Sequence, residues 1–160
     1  MGFNYGINNY NGQINEIDSF EILSYAYDRG ISVLDTADIY GSAHEIIGKF
    51  HKNYPNKKFK ITTKFPNIES LNFEKSIDKY LNDLVVDKIH VIFFHSFKSF
   101  VDNHSKLNRL NRLKNHKIDF IGVSVYTNDE ISEVISCDHV DVIQVPFNLF
   151  DNSNKRSHIL

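Results

Sequence analysis

The sequence predicts an α/β protein: a partial (β/α)8, or TIM, barrel with about six of eight strands present. Three observations predict it. Five short apolar runs alternate with five helical patterns. The runs lack clean period-2 alternation, as expected of parallel strands covered on both faces. Their last residues fall at 35, 64, 95, 124 and 144, in steps of 29, 31, 29 and 20 residues. A recurring step of about 30 residues is what a barrel of ~250 residues produces. The competing doubly wound sheet is usually flagged by G-x-G-x-x-G after its first strand, and that motif is absent.

The expected strands are Ile31–Asp35, Phe59–Lys64, Ile89–His95, Ile118–Ser124 and Val140–Gln144, preceded by a stub at Gly2–Gly6. The expected helices are Glu16–Arg29, Ala43–Lys52, Phe73–Leu84, Lys106–Lys114 and Asp129–Ile135. Gly30 is a natural stop for the first, and Ser42 a candidate N-cap for the second. No linker or low-complexity tract interrupts residues 1–160, so they read as one domain.

Composition narrows the function. A 41% hydrophobic fraction in 160 residues supports one real core. A net charge of −2, with no dense Lys/Arg block, gives no footprint for nucleic acid. Cys137 is the only cysteine, which excludes an internal disulfide and a thiolate cage, and a reducing cytoplasm fits. The N-terminus shows no signal-peptide pattern, and Val91–Phe94 is too short to span a bilayer. The expectation is a soluble, cytoplasmic protein. His44-Glu45 opens like a zinc-protease motif, but Gly48 stands where the second histidine is required. No metal site is expected.

In (β/α)8 enzymes chemistry sits at the C-terminal strand ends. Here those ends carry Asp35, Lys64, His95, Ser124 and Gln144. Each alone reads as an ordinary polar residue ending a strand. Five in register favour a shared site.

At these positions a family becomes recognisable. Asp35-Thr36-Ala37-Asp38-Ile39-Tyr40-Gly41, Thr62-Thr63-Lys64-Phe65, Phe94-His95-Ser96, Ile121-Gly122-Val123-Ser124 and Ile143-Gln144-Val145-Pro146 resemble the strand-end motifs of the aldo-keto reductases. The resemblance implies an NADP-dependent oxidoreductase that reduces an aldehyde or ketone, with Asp35, Tyr40, Lys64 and His95 as the catalytic set. It implies Tyr40 as general acid, Lys64 lowering the phenol's pKa, Asp35 holding Lys64, and His95 orienting the substrate oxygen. Lowering a tyrosine by two units from about 10 requires roughly 2.7 kcal/mol. Ser124 and Gln144 would bind the nicotinamide carboxamide. Val125 departs from the pattern, standing where many members carry an asparagine.

The resemblance leaves two alternatives: a non-catalytic NADP-binding regulatory relative, and an inactive remnant. A closed barrel needs eight strands, so the sequence reads as a domain incomplete at its C-terminus. Open strand edges then predict self-association. Barrel-interior side chains such as Val33, Ile61, Phe93 and Val123, or their neighbours, are expected to lose partners. Little reductase activity and weak NADPH binding are expected of the 160 residues by themselves.

Overall fold

A computed structural model describes residues 10, 12–69, 71–157 and 159. The stub at Gly2–Gly6 lies outside them. Helix α1 (Glu16–Asp28) leads into β1 (Val33–Asp35), α2 (Ala43–Asn53), β2 (Lys60–Phe65), α3 (Phe73–Leu84) and β3 (Ile89–Phe94). Then follow α4 (Phe97–Asn103), a 3-10 turn at His104–Lys106, α5 (Leu107–Asn111), β4 (Ile118–Ser124), α6 (Asn128–Ile135), β5 (Val142–Gln144) and α7 (Ser153–Arg156). The strands form one parallel sheet in the order β1-β2-β3-β4-β5. It is the curled half-barrel that the strand spacing predicts.

Register decides what faces the concave side. Asp35 pairs with Thr62, Lys64 with Phe93, Phe93 with Gly122, and Ser124 with Gln144. Side chains alternate along a strand, so Asp35, Thr62, Lys64, Phe93, Gly122, Ser124 and Gln144 share the concave face. Ile61, Phe65, Ile92, Phe94, Ile121 and Val123 point the other way and form the core. This corrects the expectation for Ile61 and Val123: both are fully buried on the helix side of the sheet. Val33 and Phe120 are large apolar side chains left exposed on the concave face, whereas Phe93 is buried.

The local signals explain most boundaries. Asn15 accepts from the amide of Asp18 to start α1, and Gly30, at φ +87°, ends the segment where other residues would be strained. Thr127 and Glu130 close a capping box on α6. Ser42 holds the N-cap position of α2, but its hydroxyl makes no cap hydrogen bond; it accepts from Gln13 Nε2 at 3.3 Å. The expected helix Lys106–Lys114 is shorter and follows a separate α4, whose N-cap Ser96 accepts from the amide of Ser99. Helices α2 and α3 approach closely at Gly48, where a Cβ would lie 1.8 Å from the carbonyl oxygen of Asp83.

Candidate active site

Two expected site residues, Asp35 and Lys64, are brought together by register at the sheet's first edge. Asp35 ends β1 opposite Thr62, so Lys64 rises one step above it on the next strand. Lys64 Nζ forms an ion pair with Asp35 Oδ1 and lies 3.4 Å from the carbonyl oxygen of Thr36. The burial is unequal: the Lys64 side chain is 6% exposed and that of Asp35 44%. A buried ammonium needs a partner, and the carboxylate supplies it from the wet side.

Tyr40 comes from the loop between β1 and α2. The loop is fastened to β2 by two backbone bonds, Thr36 N–H to Thr62 O at 2.9 Å and Asp38 N–H to Lys64 O at 3.2 Å. The Tyr40 ring centroid then lies 6.0 Å from Lys64 Nζ. His95 follows β3 and meets Tyr40 edge-on, with centroids 6.1 Å apart and an interplanar angle of 80°. Burial, then the nearby Lys64 charge, lower the His95 pKa, with Asp35 opposing. The ring is therefore neutral at physiological pH. Its Nδ1 is buried without a hydrogen-bond partner among the described residues.

Ser124 and Gln144 sit side by side at the ends of β4 and β5. Ser124 Oγ donates to Gln144 Oε1 at 3.2 Å, and Gln144 Nε2 donates to Asp35 Oδ2 at 2.7 Å. All six expected site residues thus line one cleft of about 480 Å³, together with Val125, Tyr126, Val145 and Pro146. Val125 is buried, and its amide donates to the carbonyl oxygen of Gln144 at 2.9 Å.

One contributor escaped the sequence reading. The Phe93 ring lies against Gly122, where a Cβ would come within 2.5 Å of it, and Lys64 Nζ is 5.9 Å from the ring centroid. Phe93 thereby packs beside Lys64 on the concave face. The signal was the Gly122–Phe93 pairing, which only the register reveals. Among the described residues no group of His, Cys, Asp and Glu could hold a metal ion, and no helix is long and apolar enough to cross a membrane.

Comparison with known proteins identifies the family and the fold. The profile of the aldo/keto reductase family matches residues 3–160. The soybean (Glycine max) protein named "Probable aldo-keto reductase 1" is 28% identical over 156 residues, covering 88% of this chain and 45% of its own length. The Saccharomyces cerevisiae D-arabinose 1-dehydrogenase is 26% identical over 156 residues, covering 82% and 47%. The chain spans about half the length of the curated relatives it matches. Among solved structures, the aldo/keto reductase of Brucella melitensis superposes with a TM-score of 0.70 at 22% identity, over 91% of this chain and 60% of that one. The silkworm (Bombyx mori) aldo-keto reductase does so at 0.67 and 20%, over 96% and 54%. The chain belongs to the aldo/keto reductase family.

Proposed function

We propose that the cleft is the site of an oxidoreductase that reduces an aldehyde or ketone with NADPH, and that residues 1–160 form part of that reductase domain. The observation that carries this reading is the convergence of Tyr40, Lys64, Asp35 and a neutral His95 on one cleft. Bound NADPH would supply a hydride to the carbonyl carbon.

The chain's residues do the rest. Tyr40 donates its phenolic proton to the carbonyl oxygen as negative charge develops there. The Lys64 ammonium stabilises the phenolate left behind, and Asp35 keeps Lys64 charged and fixed. Neutral His95 offers a ring N–H to the same oxygen and orients it. The donor set at Ser124 and Gln144 suits a carboxamide: a hydroxyl, an amide N–H and an amide oxygen at one cleft edge. These two residues would hold the nicotinamide and select the ring face presented to substrate.

The test measures NADPH oxidation with a panel of aldehydes, on this chain and on this chain extended by the remaining strands of a relative. Tyr40→Phe in the extended protein is expected to lower kcat by about 100-fold or more while leaving NADPH binding nearly unchanged. A Phe variant that keeps most of its kcat overturns Tyr40 as the acid.

A further inference from the structure

Tyr40 and Lys64 sit on different elements, and their relative placement is set from behind the sheet. Lys64 faces the cleft, so its neighbour Thr63 faces the helices, where it is fully buried. One helical turn after Tyr40, in the first turn of α2, His44 is 5% exposed and points at the same place. His44 Nε2 lies 2.8 Å from Thr63 Oγ1. This bond joins the helix that follows Tyr40 to the strand residue that precedes Lys64. On its other side the His44 ring meets the buried Tyr80 of α3 edge-on, at 5.1 Å and 74°. Backbone bonds complete the bracket: Ala43 N–H donates to Tyr40 O at 3.2 Å, and Asp38 N–H to Lys64 O at 3.2 Å.

We propose that His44 is a positioning residue that sets the separation of Tyr40 from Lys64 through its hydrogen bond to Thr63. The proposal rests on the reading of Tyr40 and Lys64 as acid and activating cation. Their interaction weakens with distance, and small misplacements at a reacting centre cost much rate. Burial lowers the His44 pKa to about 4 against the opposing charge of Asp38, so the ring stays neutral and the bond keeps one form at neutral pH. An ordinary packing role would be filled equally well by leucine. The proposal requires the hydrogen bond.

The experiment needs no turnover. Tyrosine labelled with 13C at Cζ is introduced into the 160-residue chain, the Tyr40 signal is assigned by its loss in Tyr40→Phe, and the phenol is titrated by NMR. Lys64→Met is expected to raise the Tyr40 midpoint. Thr63→Val and His44→Leu are expected to raise it too, by roughly half a unit or more, whereas His44→Gln, which keeps a polar partner for Thr63, stays within about 0.2 unit of wild type. If Lys64→Met shifts the midpoint and neither Thr63→Val nor His44→Leu does, the positioning role is overturned and the reading of Lys64 stands. If Lys64→Met is also without effect, the reading of the pair fails and takes the proposal with it. Should His44→Leu not fold, the near-isosteric Thr63→Val decides alone.

Discussion

Gln144 Nε2 donates to Asp35 Oδ2 at 2.7 Å, joining β5 to β1 across 109 residues of sequence. These are the two outer strands of the described sheet. The sheet therefore curls far enough for its ends to touch through side chains. Asp35 serves both neighbours, Oδ1 on Lys64 and Oδ2 on Gln144.

The unequal burial of the Asp35–Lys64 pair makes the two possible deletions unequal. Asp35→Asn leaves an ammonium that is 6% exposed without its counter-charge. Breaking a buried pair costs about 3–5 kcal/mol, and the wet side of Asp35 reduces that to about 2 kcal/mol. Lys64→Met leaves a carboxylate that water already reaches and fills the slot with an apolar chain of similar length, for a cost of about 1 kcal/mol or less. Urea unfolding of both variants checks the order. A Lys64→Met protein less stable than Asp35→Asn contradicts it.

Phe93 and Gly122 are expected to be coupled. Gly122→Ala puts a methyl group within 2.5 Å of the Phe93 ring, pushing the ring from its place beside Lys64. Overpacking of this kind costs about 1–3 kcal/mol. Phe93→Leu opens the space, so the double variant should be less destabilised than the sum of the singles. Thermal or urea melts of the four proteins decide, and strict additivity would refute the contact.

Strand ends and strand faces differ in how much of the fold the sequence reveals, for physical reasons. Asp35, Lys64, His95, Ser124 and Gln144 were legible because each is a polar residue ending an apolar run, and parallel strands align such ends. The face assignment of Ile61 and Val123 was not, because a strand covered on both sides carries apolar residues at every position and hides its period. Register removed the ambiguity by placing Lys64 opposite Phe93. Helix α4 was missed because Phe97–Asn103 is a short polar-aromatic stretch with no sustained helical period. His44 read as a failed zinc motif, since nothing local shows that its partner is Thr63.

Arg156 is expected to hold the cleft's far lip. It is 1% exposed and clamps Asp151 with two bonds of 2.6 Å, while Nη2 donates to Tyr126 O at 2.7 Å and Nη1 to Asn128 Oδ1 at 2.9 Å. Tyr126 and Pro146, which line the cleft, lie on the two loops this clamp braces. Lysine keeps the charge but lacks the planar fork. Arg156→Lys should therefore speed amide hydrogen exchange at Tyr126–Asn128 and Asn148–Asp151 while leaving β2 and β3 protected. Unchanged exchange in both loops would assign the clamp a different role.

Acid should destabilise the protein before its carboxylates titrate. His44 is buried and its pKa falls to about 4 from an ordinary 6.5; desolvation dominates, with Asp38 and Asp83 opposing it and Lys79 adding to it. His51 shifts the same way, mainly by desolvation, opposed by its bond to Leu84 O and helped by Lys58. Its bonding also fixes the neutral form. The amide of Phe59 donates to His51 Nε2 at 3.2 Å, so the ring proton is on Nδ1, which donates to Leu84 O at 2.8 Å. Protonating Nε2 breaks the Phe59 bond. A depressed histidine pKa means that the unfolded chain binds the proton first, near pH 6.5, while the folded chain waits until lower pH. Stability is thus fully present above about pH 6.5 and is lost as pH falls toward 4. His44 alone accounts for about 2 kcal/mol of loss by pH 5. The Glu74 carboxyl is held below its usual range by Arg109, and that of Asp119, against opposing desolvation, by His90 and Lys88; both lose their contributions at lower pH and separate from this window. Urea unfolding at pH 7.5, 6.0 and 5.0 measures the slope. His44→Gln should flatten it and His44→Gln with His51→Gln should flatten it further, whatever their absolute stabilities. A slope between pH 7.5 and 5.0 that is unchanged in the double variant would place the acid sensitivity elsewhere.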